Sequence, residues 1–423
     1  MKILTVVFRL GPAGTERAAQ NFAEAYKDLG HDSRILLTTN DPQNEARIGL
    51  LSKANITCYC YSEKNLKILQ DWDPEIIHIH SHMLRHRTIK ELQKHLAKAK
   101  LIETNVFSEP SPWEATLHKS FQLSHWCKAL YQFRKGNKSI CSVVPNPINI
   151  RRFNRATPEE ISAYRSSKSL HQKAIVIGRI GSPSEAKWSP FLIDSFNRLC
   201  KDFDNLNLLL IGAPRTVVER AKASPYQARI VLENPIDNDL ELSIAYSSID
   251  IFSHIAEIGE SFGMVLAESL LCETPVLTLS TPWGDNSQSE VIGGHGTGGF
   301  EAISLKEFDK YCRKLLSSQQ LRVEMGKRGR LHITNSYNSH SVAQKALDEA
   351  SRDKRIYKSR KIQFPLSRHQ SKNFNFSTKL VLKFFHMRFY TRYTTGYLSW
   401  MNFCAELVRN GVKKISAILN SRS

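Results

Sequence analysis

GESFGMVLAESLLCETPVL, residues 259–277, is the stretch on which the reading of this 423-residue chain turns. A short loop leads into an apolar helical run from Met264 to Cys272, and Thr274-Pro275 then opens the next extended segment. Glu260 and Glu268 are separated by seven residues. Glu260 falls in the loop, facing a cleft, while Glu268 lies about one turn inside the helix among Val265, Leu266, Ala267, Leu270 and Leu271. A carboxylate in such surroundings needs a partner. A vicinal diol, as on a ribose, satisfies both its oxygens, and the first N–H groups of the helix suit an anion. Two surface glutamates on an amphipathic helix are the bland alternative for a bare Glu-x(7)-Glu match.

On either side, short β-branched runs alternate with amphipathic stretches: KILTVVF, SRILLTT, EIIHIHS, AKLIETN, SFQLS and SICSVVP, then AIVIGRI, NLLLIGA, RIVLE, IDIFSHI and TPVLTLS. That rhythm means βαβ units and mostly parallel sheets. A helix is expected over 15–29, where Ala18, Ala19, Phe22, Ala25 and Leu29 recur at helical spacing and Gly30 ends the run. The expected division is a doubly wound domain over 1–154, a linker over 155–172, a second doubly wound domain with a return helix over 173–352, and a tail over 353–423. A ligand should sit between the two sheets, at the carboxyl ends of their strands.

With 41% hydrophobic and 23% charged residues the composition is that of an ordinary globular protein, which excludes collagenous, coiled-coil and wholly disordered chains. No run of 18 apolar residues occurs, and the opening MKILTVVF is too short for a signal-peptide core. Eight scattered cysteines contain no C-x-x-C pair and read as reduced thiols, so a cytoplasmic location is expected. Of the net charge of +19, residues 351–423 carry +14, together with 12 of the 39 aromatic residues. This tail therefore suits an anionic membrane surface, giving a protein peripheral to the inner face of the cell membrane. A helical extension packed on the body is the other reading, and nucleic acid is not expected.

The Glu-x(7)-Glu stretch resembles the signature of retaining glycosyltransferases of family 4, of the bacterial cell-surface glycan type, and the resemblance extends over roughly residues 1–350. It implies an α/β GT-B fold of two facing Rossmann-like domains. It further implies Glu260 as the catalytic carboxylate, with Phe262, Gly263, Met264 and Glu268 binding the donor. LGPAGTERAAQNFAEAYKDLGH, residues 10–31, resembles the family's first strand-to-helix turn: Gly11 and Gly14 allow close backbone approach, and Thr15 would cap the helix. In the family this loop meets the donor diphosphate or the acceptor, and Gly14 is expected among the donor-binding residues. IGRIGSPSEAKWSP supplies Arg179 and, eight residues on, Lys187, two cations suited to a diphosphate leaving group, each charge-assisted bond being worth roughly 1.5–3 kcal/mol. The resemblance places Asn234, Pro235 and Ile236 near the nucleobase. VVPNPINIRRF, with Pro147 where the family usually has glycine, becomes a domain-junction turn. Ser289-Glu290-Val291 and Gly298-Gly299 become structural.

Some positions depart from the family pattern. Where many members have a sugar-contacting His, this chain has Asn105 and Val106. IIHIHSHM places His78, His80 and His82 on one strand face, a spacing that also suits metal; without a fourth ligand the metal is set aside, and His80 and His82 are expected on the acceptor side. Asp71-Trp72-Asp73 is an Asp-x-Asp, but the pattern recurs at Asp202 and Asp237 and carries no weight. The loop TLSTPWGDNSQ, with Trp283 and Asp285, is placed to reach the donor sugar. The expected activity is transfer of a hexose, with retention, from a UDP- or GDP-linked donor to a glycan or lipid-linked acceptor, without a metal or other cofactor. Front-face displacement and a covalent intermediate both stay open. A nucleotide-sugar epimerase or hydrolase, or a non-catalytic partner subunit, are the alternatives. Loss of Glu260, Glu268, Arg179 or Lys187 would favour the last, and all four are present.

Overall fold

The structure is a computed structural model that describes residues 1–11, 13–39, 44–81, 83–281 and 284–353. The tail reading therefore lies outside the described residues, as do His82 and Trp283.

Seven strands form the first sheet: β1 (Lys2–Val7), β2 (Asp32–Leu37), β3 (Thr57–Cys60), β4 (Ile76–His80), β5 (Lys100–Asn105), β6 (Lys119–Gln122) and β7 (Cys141–Val143). Their order is β3-β2-β1-β4-β5-β6-β7, and every pairing is parallel. The second half contributes β8 (Ile175–Ile180), β9 (Leu206–Ile211), β10 (Ile230–Glu233), β11 (Ile251–His254), β12 (Gly259–Glu260), β13 (Val276–Leu279), β14 (Asp285–Asn286) and β15 (Gly299–Ala302). Six of these build a second parallel sheet in the order β10-β9-β8-β11-β13-β15, while β12 and β14 pair separately. Both sheets carry the 3-2-1-4-5-6 winding of a Rossmann-like domain, so each reverses direction once, between β1 and β4 in one and between β8 and β11 in the other. Ligands of such sheets bind at those reversals, which the loops leaving β1, β8 and β11 border.

Eleven of these strands coincide with the runs read from the sequence. β3 was missed because it is a half-exposed edge, TCYC, without alternation. β15 was missed because it begins with Gly299, where the packing demands glycine: an added Cβ would lie 2.0 Å from the Val276 carbonyl oxygen on β13.

The first helix, Gly14–Asp28, buries Ala18, Ala19, Phe22, Ala23, Ala25 and Tyr26 against the first sheet. Thr15 does not cap it, contrary to expectation. Ala13 holds the cap position, and the Glu16 carboxylate accepts the Ala13 N–H at 2.8 Å, so the side chain three residues on fills the role. The last described helix, Ser339–Ser351, returns to the first domain: Val342, Ala343, Ala346 and Leu347 join Ile3, Phe22 and Tyr26 in one apolar cluster. The crossing is fixed where Ile148 N–H donates to the Tyr337 carbonyl (2.8 Å) and Ser339 N–H to that of Ile148 (3.0 Å). Among the described residues no helix is long and apolar enough to cross a membrane.

Candidate active site

The loop after β11 rises through β12 and enters the helix Met264–Leu271 at Gly263, whose φ of 88° belongs to the left-handed region that favours glycine. Glu260 is thereby turned inward and buried, 7% exposed. Its Oε2 accepts from Lys187 Nζ at 2.8 Å, and its Oε1 lies 3.4 Å from His254 Nε2. Burial alone would raise this carboxyl's pKa. The charge of Lys187 and the hydrogen bonds from His254 and Lys187 outweigh it and hold the group well below the usual carboxylate range. Glu260 is therefore ionised at neutral pH.

Arg179 ends up behind this pair at the carboxyl end of β8. Its Nη2 donates to the Lys187 carbonyl (2.9 Å), and its guanidinium lies against the rings of Trp188 and Phe252, 5.2 and 5.8 Å from their centroids. Nε and Nη1 make no hydrogen bond among the described residues, and burial pulls the guanidinium pKa down to about 10. Arg179, Lys187 and Glu260 thus converge, and Lys187 is paired with Glu260.

Glu268 faces the other domain. Its Oε2 accepts from Tyr246 Oη at 3.0 Å, and its Oε1 is 3.5 Å from Nε of Arg17, on the first helix. Arg17 is anchored by Asp239 at 2.6 Å. Burial raises the Glu268 pKa despite the opposing pull of Arg17 and Tyr246. Gly14 sits opposite Met264, where an added Cβ would come within 3.1 Å of Met264 Cγ, so the glycine-bearing turn of one domain abuts the helix start of the other. The cavity between the domains here amounts to only about 10 Å³ beside Arg17, Phe153, Met264 and Glu268. A ligand pocket is ordinarily about 300–1,000 Å³. The two domains are therefore in close contact at this point, with no room there for a ligand.

Two expected site residues fall elsewhere. His80, expected on the acceptor side, is wholly buried beneath the first helix, its ring 5.6 Å from Phe22 and 4.7 Å from His78. Strand alternation turned it inward rather than to the cleft, and burial lowers its pKa to about 3. The Phe262 ring turns into the core and meets Tyr337 edge-on at 5.1 Å, leaving its main chain rather than its ring for a donor. Asn234, Pro235 and Ile236 leave the carboxyl end of β10 toward the helix Asp239–Ser247, the first two exposed and Ile236 packed on the core. Val106 is buried in the same apolar cluster as Phe262, and Asp285 lies on β14 directly beside Gly259 of β12.

Sequence reasoning passed over Arg17, Asp239, Tyr246 and His254. Only His254 left a usable signal, a histidine closing the strand that precedes the Glu260 loop. Glu290, read as structural, clasps the domains: its carboxylate accepts the N–H groups of His125 and Trp126 at 2.9 Å each, at the start of the helix His125–Phe133.

Two Rossmann-like domains closed face to face, with their charged clusters at the strand reversals, make this a GT-B fold. Residues 161–332 match the family model for glycosyl transferases group 1. The chain is 24% identical over 184 residues to a phosphatidyl-myo-inositol mannosyltransferase of Mycobacterium leprae (strain TN), a match that spans 43% of this chain and 46%, about half, of that relative. Among solved structures, Anabaena HepE in complex with UDP and glucose superposes with a TM-score of 0.69 at 15% identity, over 83% of this chain and 99% of that one. A glycosyltransferase from Rickettsia africae ESF-5 gives 0.68 at 18% identity, over 82% and 97%. At such identities the likeness to these structures establishes the fold.

Proposed function

We propose that the protein transfers a hexose, with retention, from a UDP- or GDP-linked donor to a glycan or lipid-linked acceptor, without a metal. The observation that carries this reading is the convergence of Arg179, Lys187 and ionised Glu260 at one strand reversal, with Gly14 facing the helix start at Met264. The match of residues 161–332 to glycosyl transferases group 1 supports it, as do the UDP and glucose in the HepE structure and the mannosyltransferase name of the M. leprae relative.

On this reading the ribose hydroxyls displace Arg17 from Glu268, and the diphosphate is met by Lys187, Arg179 and the N–H groups at the start of the helix Met264–Leu271. Cations fixed where charge develops on the leaving diphosphate lower the barrier without reorganising during the reaction. Glu260, held ionised, faces the reacting sugar. Closure brings Gly14 onto Met264, excludes water and aligns the acceptor. The basic, aromatic segment 353–423 would hold the enzyme at an anionic membrane on the cytoplasmic side, where a lipid-linked acceptor is presented. Nucleoside diphosphate release from a panel of UDP- and GDP-sugars tests the reading. Glu260→Gln should mainly lower kcat and Glu268→Gln mainly raise the donor KM. Turnover unaffected by both substitutions would overturn the assignment.

A further inference from the structure

His254 closes β11 with its ring fully buried, beside the carboxylate that the proposed chemistry depends on. Among the described residues four groups face it: Glu260 from β12, Thr278 from the neighbouring strand β13, Arg179 from β8, and Lys187 from the loop after β8. Its Nε2 lies 3.4 Å from Glu260 Oε1 and its Nδ1 3.4 Å from Thr278 Oγ1. Ionised Glu260 can only accept, so the shared proton belongs to Nε2. Burial and the nearby Arg179 charge lower the imidazole pKa to about 4, so the ring is neutral, Nδ1 is the acceptor, and the Thr278 hydroxyl donates to it.

The two partners of Glu260 differ in kind. Lys187 is a flexible side chain, 35% exposed, and in the proposed reaction it must also meet the diphosphate. His254 is 0% exposed and cannot leave. Resting on that proposed function, we propose that His254 is the positioning residue for Glu260, a neutral Nε2–H imidazole that keeps the carboxylate aimed at the donor sugar when the diphosphate draws Lys187 away. Thr278 fixes the tautomer, and through it the direction of the Nε2–H bond.

The test has two arms, both on the full-length chain. In the first, 15N-histidine-labelled protein is followed by long-range 1H–15N correlation spectra, with the His254 signals assigned by their loss in H254Q. The expected result is a neutral Nε2–H tautomer that does not titrate between pH 8 and pH 5.5 and whose Nε2 shift moves in E260Q. An Nδ1–H tautomer, titration near pH 6.5, or indifference to E260Q would overturn the proposal whether or not the protein turns over any sugar. In the second arm, H254F should lower kcat about 10- to 100-fold, because a misplaced group costs on the order of 10²-fold per ångström, with the donor KM within about twofold. H254Q, whose amide N–H can reach the same oxygen, should recover part of the loss. T278V, which leaves the imidazole in place, should give a smaller fall in kcat, and it substitutes as the decisive variant if H254F does not fold. Wild-type kcat in H254F, or in T278V should that be the variant in use, would refute the positioning role. A wild-type chain that turns over no nucleotide sugar would refute the proposed function itself, leaving the spectra to decide the geometry.

Discussion

Lys187→Met removes the cation from the Glu260 pair at nearly constant side-chain volume and leaves a buried carboxylate with His254 and the charge of Arg179. Breaking a fully buried pair by deleting one partner costs about 3–5 kcal/mol. Lys187 is 35% exposed, so solvent screens part of the attraction, and about 1–3 kcal/mol is the expected loss at pH 8. The loss must depend on pH in a definite direction. In the wild type the Glu260 carboxyl sits below its unfolded pKa, so the pair stabilises the fold above that value, and the contribution disappears as pH falls through the folded one. In the variant the upward push of burial is opposed only by His254 and the Arg179 charge, so the folded pKa rises and the penalty is relieved as the carboxyl protonates. Urea unfolding of both proteins at pH 8 and pH 5 should therefore show a gap at pH 8 that shrinks by half or more at pH 5. Lys187→Met introduced into Glu260→Gln should cost less than about 0.5 kcal/mol. A gap that is equal at the two pH values, or absent at both, would refute the reasoning.

Gly14→Val places carbon where even a Cβ would stand 3.1 Å from Met264 Cγ, so it should wedge the domains apart: the radius of gyration by small-angle scattering should rise and nucleoside diphosphate affinity fall about tenfold, about 1.4 kcal/mol, and no change in either would count against closure at this contact. His80, with a folded pKa of about 3 against about 6.5 unfolded, lets the unfolded state bind more protons as pH falls, which costs about 2 kcal/mol between pH 8 and pH 5. His80→Leu should lose about that much less than wild type over the same interval, and parallel losses would exclude the burial argument. A chain ending at Asp353 keeps the Lys100 and Lys119 contacts to the Ala350 and Asp353 carbonyls, and should stay folded while losing sedimentation with anionic liposomes; equal sedimentation would exclude the membrane role of the tail.

Much of this fold was legible because β-branched runs buried on both faces cannot be hidden in a sequence: KILTVVF, AIVIGRI and NLLLIGA each became a strand. The Gly259–Leu271 segment was legible for a different reason, since a glycine turn, an apolar helix and two glutamates constrain one another locally. What the sequence concealed was mostly contact at long range. Arg17 finds Asp239 and Glu268 more than 200 residues away, and no local pattern marks an arginine in a helix first turn as a bridge between domains. His80 misled because alternation places His78 and His80 on one face of β4 without saying which, and the first helix covers that face. The spacing marks Lys187 as a diphosphate ligand, and only the fold shows that it pairs with Glu260.

In the proposed function the cleft is a nucleoside diphosphate site organised by Glu268 on one side and Arg179 with Lys187 on the other. Calorimetric titration of the full-length chain with UDP and with GDP, in parallel with Glu268→Gln, tests it most directly. One of the two nucleotides is expected to bind, and the substitution to weaken that binding roughly tenfold or more, the loss of a charge-assisted bond. Binding of neither nucleotide, or equal affinity in both proteins, would contradict it.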